Sequence, residues 1–95
     1  MNQLNEAREE IHDIDTEIIS LIKRRVDMAD KILRFKKEEG ISINDESQNE
    51  VVLRRATDIA TELNLDSGAV RKIFKILIQM NIDRQHELSG EGNLP

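Results

Sequence analysis

A helical pattern runs without interruption through the first part of this chain, from about Asn5 to Glu39. Apolar residues recur there at the spacing of one helix face, at Leu4, Ala7, Ile11, Ile14, Ile18, Leu21, Met28, Ile32 and Phe35. Between Asn2 and Glu39 the sequence contains neither Pro nor Gly to break a helix. The pattern therefore predicts one very long helix, and Gly40 is suited to end it in a left-handed conformation.

Two shorter helical patterns follow. Residues 41–45 form a connector, and Asn44 or Asp45 can cap a second helix that continues to about Leu63. After another break at residues 64–67, where Asp66 or Ser67 can cap the next helix, a third helix is predicted to end near Leu88. The residues expected to face inward are Val52, Ala56, Ile59, Ala60 and Leu63 on the second helix and Val70, Ile73, Phe74, Leu77 and Ile78 on the third. Strand-type alternation is absent, so the predicted fold is all-α.

The length of the chain, 95 residues, corresponds to one domain. We expect this domain to span residues 1–88 and a disordered tail to follow at residues 89–95. A first helix of about 35 residues would reach about 50 Å, whereas a compact chain of this size has a radius of gyration of only about 12 to 13 Å. Because one chain cannot cover such a helix, we expect an intertwined helical homodimer with the long helices side by side.

Charge and composition exclude several functions. The net charge is −5, and basic residues are interspersed with Asp and Glu, which argues against nucleic acid as a partner. The chain contains no Cys, so neither a disulfide framework nor a thiolate metal site is possible. No apolar run approaches the length of a membrane span, and the N-terminus has no signal-peptide pattern. We expect a cytoplasmic protein with neither membrane nor nucleic-acid partners.

Polar residues interrupt the apolar faces at a few positions. Arg25 falls on the apolar register of the long helix, and Lys36 lies eleven residues later, in nearly the same direction. The apolar stripe of the third helix continues into Asn81 and Gln85, four residues apart. A buried guanidinium requires an anion, which is either a carboxylate of the protein or one that arrives with a ligand. The residues thus leave open a structural ion pair or a ligand site.

The candidate groups are cations and amides. His12 and His86 lie off the apolar faces, and no Cys nucleophile exists. Such a pocket suits a dianionic ligand and a reaction in which the protein orients its substrate and stabilises developing negative charge. We expect no metal ion and no cofactor. Arg8 lies seventeen residues before Arg25, roughly 25 Å along the axis, so it can reach the same ligand only from a second, antiparallel chain.

Four segments of the chain resemble the all-helical chorismate mutases, which rearrange chorismate to prephenate by an intramolecular Claisen shift. The segment AREEIHDIDTEIISLIKRR is similar to the first-helix pattern of that family, with Arg8 and Arg25 in place, and RFKKEEG supplies Lys36. GISIND resembles the turn into the second helix and ends at Asp45. FKILIQMNIDRQ is similar to the third helix, with Gln85 at the family's glutamine.

The resemblance implies a role for each matching residue. Arg25 and Arg8 of the second chain would clamp the two substrate carboxylates, and Asn81 would assist with a carboxylate. Lys36 and Gln85, the expected catalytic residues, would hydrogen-bond the ether oxygen, which gains negative charge as its bond to the ring breaks. The expected partners are therefore chorismate and a second copy of the chain, with active sites shared between the two copies.

The chain departs from the family's pattern at the start of the second helix. Asp45, through its backbone, would help to hold the ring hydroxyl of the substrate. Three and four residues later the family commonly has Arg and Glu, whereas this chain has Gln48 and Asn49. Gln48 can still donate a hydrogen bond but brings no charge, and Asn49 can still accept one through its carbonyl. Both are expected to bind the substrate.

Two alternative functions remain open. The resemblance covers about residues 4–88, and a related lyase on the same scaffold, which removes pyruvate from isochorismate, shares the Arg, Lys and Gln framework. A non-catalytic helical dimerisation module would use Arg25 only structurally. Activity toward chorismate or isochorismate distinguishes these possibilities.

Overall fold

The computed structural model describes residues 2–90, which form four helical segments and no strand. Helix α1 (Gln3–Asp27) and helix α2 (Ala29–Glu39) together make up the long N-terminal helix. Helices α3 (Glu46–Glu62) and α4 (Ser67–Ser89) follow it. The predicted all-α fold, with one long helix followed by two shorter ones, is confirmed.

A single residue, Met28, separates α1 from α2. Its backbone is still right-handed, at φ −67° and ψ −14°, and hydrogen bonds continue across it, from Met28 N to Arg24 O at 3.2 Å and from Ile32 N to Met28 O at 2.9 Å. The side chain of Asn81 donates to the carbonyl of Arg25 in the preceding turn, at 2.9 Å. A side chain that bonds a helix carbonyl disturbs the ladder locally, so this contact accounts for the irregularity without Pro or Gly.

The helix ends follow the capping residues that the sequence offers. Asp45, rather than Asn44, caps α3, and its carboxylate accepts from Gln48 N at 3.3 Å. Asp66 caps α4 by accepting from the backbone N–H of the second residue after it, at 3.0 Å. Gly40 ends α2 at φ 70°, a conformation that glycine adopts without the steric penalty of a side chain. Gly40 and Asp45 thus fix the two ends of the connector between α2 and α3.

The core lies between α3 and α4. Leu53, Ile78 and Ile82 form a buried cluster against which Ile43, Val52 and Phe74 pack. Ala56 and Ala60 are buried on α3 as predicted, whereas Ile59 and Leu63 are 50% and 65% exposed. The buried stripe of α3 is therefore rotated from the predicted one, toward the Leu53 side, because periodicity gives the spacing of a face but not the direction of its neighbour.

The described chain is elongated. Its radius of gyration is 16.9 Å and its extents are 57 × 29 × 23 Å, larger than the roughly 12 to 13 Å radius of gyration of a compact chain of this length. Helix α1 has no buried residue, and its apolar stripe is open to solvent, with Ile11 57% exposed and Leu21 56% exposed. One chain thus leaves its long helix uncovered, as its length led us to expect. The homodimer itself stays a prediction.

Two predictions at the chain level have partial outcomes. None of the helices within residues 2–90 combines the length and hydrophobicity that crossing a bilayer demands. Helix α4 continues one residue past Leu88, to Ser89, and Gly90 follows as its left-handed cap. The remainder of the predicted tail, residues 91–95, lies outside the described residues.

Candidate active site

A cavity of about 310 Å³ opens between the long N-terminal helix, α3 and α4. Its apolar lining consists of Met28, Ile32, Val52, Ile78 and Ile82, and its polar lining consists of Arg25, Lys36, Gln48, Asn49, Asn81 and Gln85. All of these polar residues were predicted from the sequence as site residues. Among the described lining residues, two side chains are cations, four are amides and none is a carboxylate.

Arg25 bridges α1 and α4. Its Nη1 donates to the backbone carbonyl of Leu77 at 2.9 Å. Burial lowers the pKa of the guanidinium from its ordinary value, but arginine titrates so high that the group remains charged. None of the ion pairs found among residues 2–90 includes Arg25. Within the described chain, Arg25 is thus a charged group at the cavity with no carboxylate paired to it.

Lys36 reaches from α2 to the connector, where its Nζ donates to the backbone carbonyl of Ile43. Burial lowers the pKa of Lys36 below that of an ordinary lysine, and the negative charge of Asp45 partly offsets this by raising it. A half-buried ammonium interacts more strongly with a nearby anion than an exposed one does, since less water screens it. Lys36 is thus placed to attract negative charge in the cavity.

Gln85 is the buried polar residue of the cavity, at 2% exposure. Its Nε2 donates to Oδ1 of Asn81 at 2.6 Å, and Nδ2 of Asn81 donates to the carbonyl of Arg25 at 2.9 Å. The Oε1 of Gln85 is buried and has no hydrogen-bond partner. An unpaired buried acceptor costs about 1 to 3 kcal/mol, and polar groups left in this state deserve a functional explanation.

Gln48 and Asn49 line the cavity from the first turn of α3. Asn49 is half-buried, and its Nδ2 donates to Oδ1 of Asn44 at 2.9 Å. This contact leaves the Oδ1 of Asn49 as an acceptor for a ligand. Gln48 is exposed and adds an uncharged amide to the rim of the cavity. Where the family commonly has a charged Arg and Glu at the start of its second helix, this chain has two neutral amides on the α3 side of the cavity.

The remaining predicted residues, Arg8 and Asp45, do not line the cavity. Arg8 is exposed on α1, far along the helix from Arg25, so its role depends on a second chain. The Asp45 carboxylate accepts from the Ser47 hydroxyl at 2.9 Å and caps α3, and it influences the site through its charge on Lys36. Its predicted contact with a ring hydroxyl stays a prediction.

Some contacts at the cavity were not foreseen from the sequence. The carbonyls of Leu77 and Ile43 hold the two cations, and every residue has a carbonyl, so no sequence signal distinguishes these two. Asn44 was expected only as a possible helix cap, yet it orients Asn49. Met28 and Ile32 were predicted to lie on the apolar face, and they also line the cavity.

The arrangement defines a class of protein, an all-α protein with a cleft lined by two cations and four amides. Two cations held by backbone carbonyls and a set of amides suit a ligand with more than one negative group. Donors fixed in a half-buried site can also stabilise charge that develops during a reaction.

The chain belongs to the chorismate mutase type II family, whose model matches residues 7–86. This confirms the family resemblance seen in the sequence and identifies the chain as an enzyme of the isomerase class. The match covers α2 and α3 completely and almost all of α1 and α4. The cavity described above therefore lies wholly within the family domain.

Several relatives are similar to this chain. The chorismate mutase of Methanocaldococcus jannaschii is 35% identical over 81 residues, which cover 85% of this chain and 82% of the relative. The bifunctional chorismate mutase/prephenate dehydratase of Buchnera aphidicola subsp. Acyrthosiphon pisum is 28% identical over 92% of this chain, which spans only 23% of that protein. The 4-amino-4-deoxychorismate mutase of Streptomyces venezuelae is 25% identical over 81% of this chain and 75% of the relative. These relatives include mutases of two different compounds.

Proposed function

We propose that this chain catalyses the rearrangement of chorismate to prephenate, as a cytoplasmic enzyme of aromatic amino-acid biosynthesis. The convergence of Arg25, Lys36 and Gln85 in one cavity carries this proposal. These three residues come from α1, α2 and α4, and together they offer two positive charges and a buried amide. The relative at 35% identity is itself a chorismate mutase, which supports the same substrate.

Substrate binding explains the cations on one side of the cavity. Chorismate carries two carboxylates, and its flexible enolpyruvyl arm must lie over the ring before the rearrangement can occur. Arg25 binds one carboxylate and so limits the freedom of the arm, which removes much of the entropic barrier. Asn49 accepts from the ring hydroxyl through Oδ1, and Gln48 donates to a carboxylate without adding charge.

Catalysis follows from differential binding. In the Claisen rearrangement the bond from the ether oxygen to the ring breaks while a carbon–carbon bond forms, and no proton is transferred. Negative charge grows on the ether oxygen, and Lys36 and Gln85 donate to it. Each such donor is worth about 3 to 4 kcal/mol by analogy with oxyanion holes. Because this interaction strengthens as the bond breaks, it raises turnover more than affinity.

Assembly into a homodimer completes the site. The apolar stripe of α1 is exposed along its whole length in one chain, and a contiguous exposed apolar face of this kind is typical of a protein–protein interface. An antiparallel second copy covers this stripe and places its own Arg8 beside the first copy's cavity. Arg8 then binds the second carboxylate of the substrate, opposite Arg25.

A spectrophotometric assay tests the reaction. Purified protein should consume chorismate, seen as loss of its ultraviolet absorbance, and should form prephenate. Release of pyruvate from isochorismate, with chorismate unchanged, would instead identify the lyase alternative. Conversion of 4-amino-4-deoxychorismate in preference to chorismate would assign the substrate named for the Streptomyces venezuelae relative. Inactivity on all three compounds would contradict the proposal and favour a dimerisation module.

The assembly has a separate test. Sedimentation should show a dimer at micromolar concentration, and the unfolding midpoint should rise with protein concentration, because the dimer is the folded species. A folded monomer that retains full activity at the same concentration would contradict the shared site.

A further inference from the structure

A chain of hydrogen bonds connects the backbone of the long N-terminal helix to the buried amide of Gln85. Asn81 donates from Nδ2 to the carbonyl of Arg25 at 2.9 Å, and its Oδ1 accepts from Nε2 of Gln85 at 2.6 Å. We refer to these two bonds as the amide relay. The first bond joins two residues that are 56 apart in the sequence, and the second joins residues one helix turn apart on α4.

The direction of the amide relay is set by its first member. A backbone carbonyl only accepts hydrogen bonds, so the side of the Asn81 amide that faces Arg25 must be the NH2 group. The Oδ1 of Asn81 then faces Gln85, which must present its own NH2 group in turn. The Gln85 amide therefore has one favoured orientation, and its Oε1 is the atom left without a partner.

We propose that Asn81 is a positioning residue that holds the Gln85 amide with its second Nε2 hydrogen directed at the bound ligand. The inference rests on the proposed function, in which this hydrogen is donated to the ether oxygen. Without the amide relay, the Gln85 side chain can rotate by 180° about its Cγ–Cδ bond, which exchanges the positions of Oε1 and Nε2. The turned amide directs Oε1 at the ether oxygen, and two acceptors repel each other.

This role differs from the direct contact with a substrate carboxylate that the family resemblance implies for Asn81. Both polar atoms of the Asn81 side chain are already bonded to protein groups. A residue that acts through Gln85 affects the transition state, in which the ether oxygen carries charge. A residue that binds a carboxylate affects the ground state equally, so the two roles separate in KM and kcat.

A double-mutant cycle tests the proposal. Asn81→Leu keeps the number of side-chain heavy atoms and the branching at Cγ but removes both bonds, and we expect kcat to fall by up to about 100-fold with KM changed less than about threefold. In the background of Gln85→Ala, the same substitution should change kcat by less than about twofold, since its effect passes through Gln85. A raised KM at unchanged kcat, or an undiminished loss of kcat in the Gln85→Ala background, would overturn the proposal.

A matched control lies on the same helix. Gln79 is an exposed amide on α4 whose Nε2 donates to Asp83 at 2.8 Å, also four residues away. Gln79→Ala should leave kcat and KM within about twofold of the wild type, because a lost surface hydrogen bond contributes little. Should Asn81→Leu not fold, Asn81→Ala takes its place in the cycle with the same expectations.

Nuclear magnetic resonance of the wild type gives a readout that does not depend on activity. The side-chain NH2 of Gln85 should exchange its hydrogens with solvent more slowly than that of the exposed Gln79. Asn81→Ala should speed the exchange at Gln85 and leave that at Gln79 unchanged, because the lost bond adds to the protection that burial gives. If Asn81→Ala speeds the exchange at Gln85 but the wild type does not consume chorismate, the proposed reaction fails and the amide relay stands. If chorismate is consumed but Asn81→Ala leaves the exchange at Gln85 unchanged, the amide relay is refuted.

Discussion

Asn49 donates its side-chain amide to the Oδ1 of Asn44, at 2.9 Å, across the start of α3. The contact uses the NH2 group of Asn49 and leaves its carbonyl oxygen as the group that a ligand in the cavity can meet. Asn49 stands where the family commonly has Glu. At position 49 the chain therefore keeps a hydrogen-bond acceptor but lacks the negative charge of a Glu. Asn44 fixes the orientation of the Asn49 amide.

The acceptor at Asn49 predicts how substitutions there behave. Asn49→Leu removes a neutral hydrogen bond worth about 0.5 to 1.5 kcal/mol, so kcat/KM should fall about 2- to 12-fold. Asn49→Asp keeps an acceptor oxygen, and the Asn44 amide can turn to donate to it, so this variant should retain more activity than Asn49→Leu. Steady-state kinetics on chorismate checks the order. Equal losses in both variants would show that the Asn49 oxygen does not contact the substrate.

Lys36 is predicted to act on the transition state. Lys36→Ala should lower kcat about 100- to 1000-fold, as removal of an oxyanion donor does, while KM changes far less. Lys37→Ala is the matched control, because Lys37 is the adjacent lysine of α2 and is exposed outside the cavity. A Lys36→Ala protein with normal kcat and a raised KM would assign Lys36 to ground-state binding of a carboxylate.

The pH dependence follows from the charge of Lys36. Burial lowers the pKa of this lysine and Asp45 raises it, so activity should be flat between about pH 6 and 8 and fall at alkaline pH, below the usual lysine value near 10.4. Asp45→Asn removes the raising charge, so the alkaline fall should move to lower pH. Asn caps a helix as well as Asp does, so α3 is preserved.

The pH–rate profile of kcat/KM measures this shift, with Asp58→Asn on the exposed face of α3 as a charge-matched control. The control should leave the alkaline limb in place. A bell-shaped wild-type profile centred near neutrality, lost in His12→Ala or His86→Ala, would instead indicate general acid–base chemistry.

Gln85→Glu should make activity dependent on acid. A neutral carboxylic acid can donate to the ether oxygen, whereas a carboxylate repels both that oxygen and the carboxylates of the substrate. The carboxylate also cannot donate to Oδ1 of Asn81, which the amide of Gln85 does at 2.6 Å. We expect kcat of this variant to rise as the pH falls, while the wild type stays flat. Equal pH profiles for the two proteins would show that Gln85 does not donate to the ether oxygen.

The shared site can be tested by complementation. Arg8→Ala and Arg25→Ala proteins should each be nearly inactive, since each lacks one carboxylate ligand in every site. Mixed and refolded together, they should recover about one quarter of wild-type activity, because half of the dimers are mixed and half of the sites in those dimers have both arginines. The same refolding of each variant alone is the control. No recovery from proven heterodimers would place both arginines in one chain's site or remove Arg8 from it.

The sequence by itself determined the three helical stretches, the great length of the first one and the residues that cap or end them, but not the interruption of the first stretch at Met28. Apolar spacing, Gly40 and the capping side chains of Asp45 and Asp66 act within a few residues of the backbone they control. It also supplied Arg25, Asn81 and Gln85, because polar residues on apolar helix faces are rare enough to be noticed, and Lys36 through its spacing from Arg25. Gln48 and Asn49 were expected only from the family resemblance. Such local signals can be interpreted from the sequence without knowing how the helices pack.

Only the tertiary structure decided how these groups are held. Arg25 bonds the carbonyl of Leu77 across 52 residues of sequence, and Asn81 bonds the carbonyl of Arg25 across 56. The interruption at Met28 and the orientation of the Gln85 amide follow from contacts of this kind. A backbone carbonyl is present at every residue, so its partner is selected by the distance and rotation between packed helices, and periodicity along one helix carries no information about either.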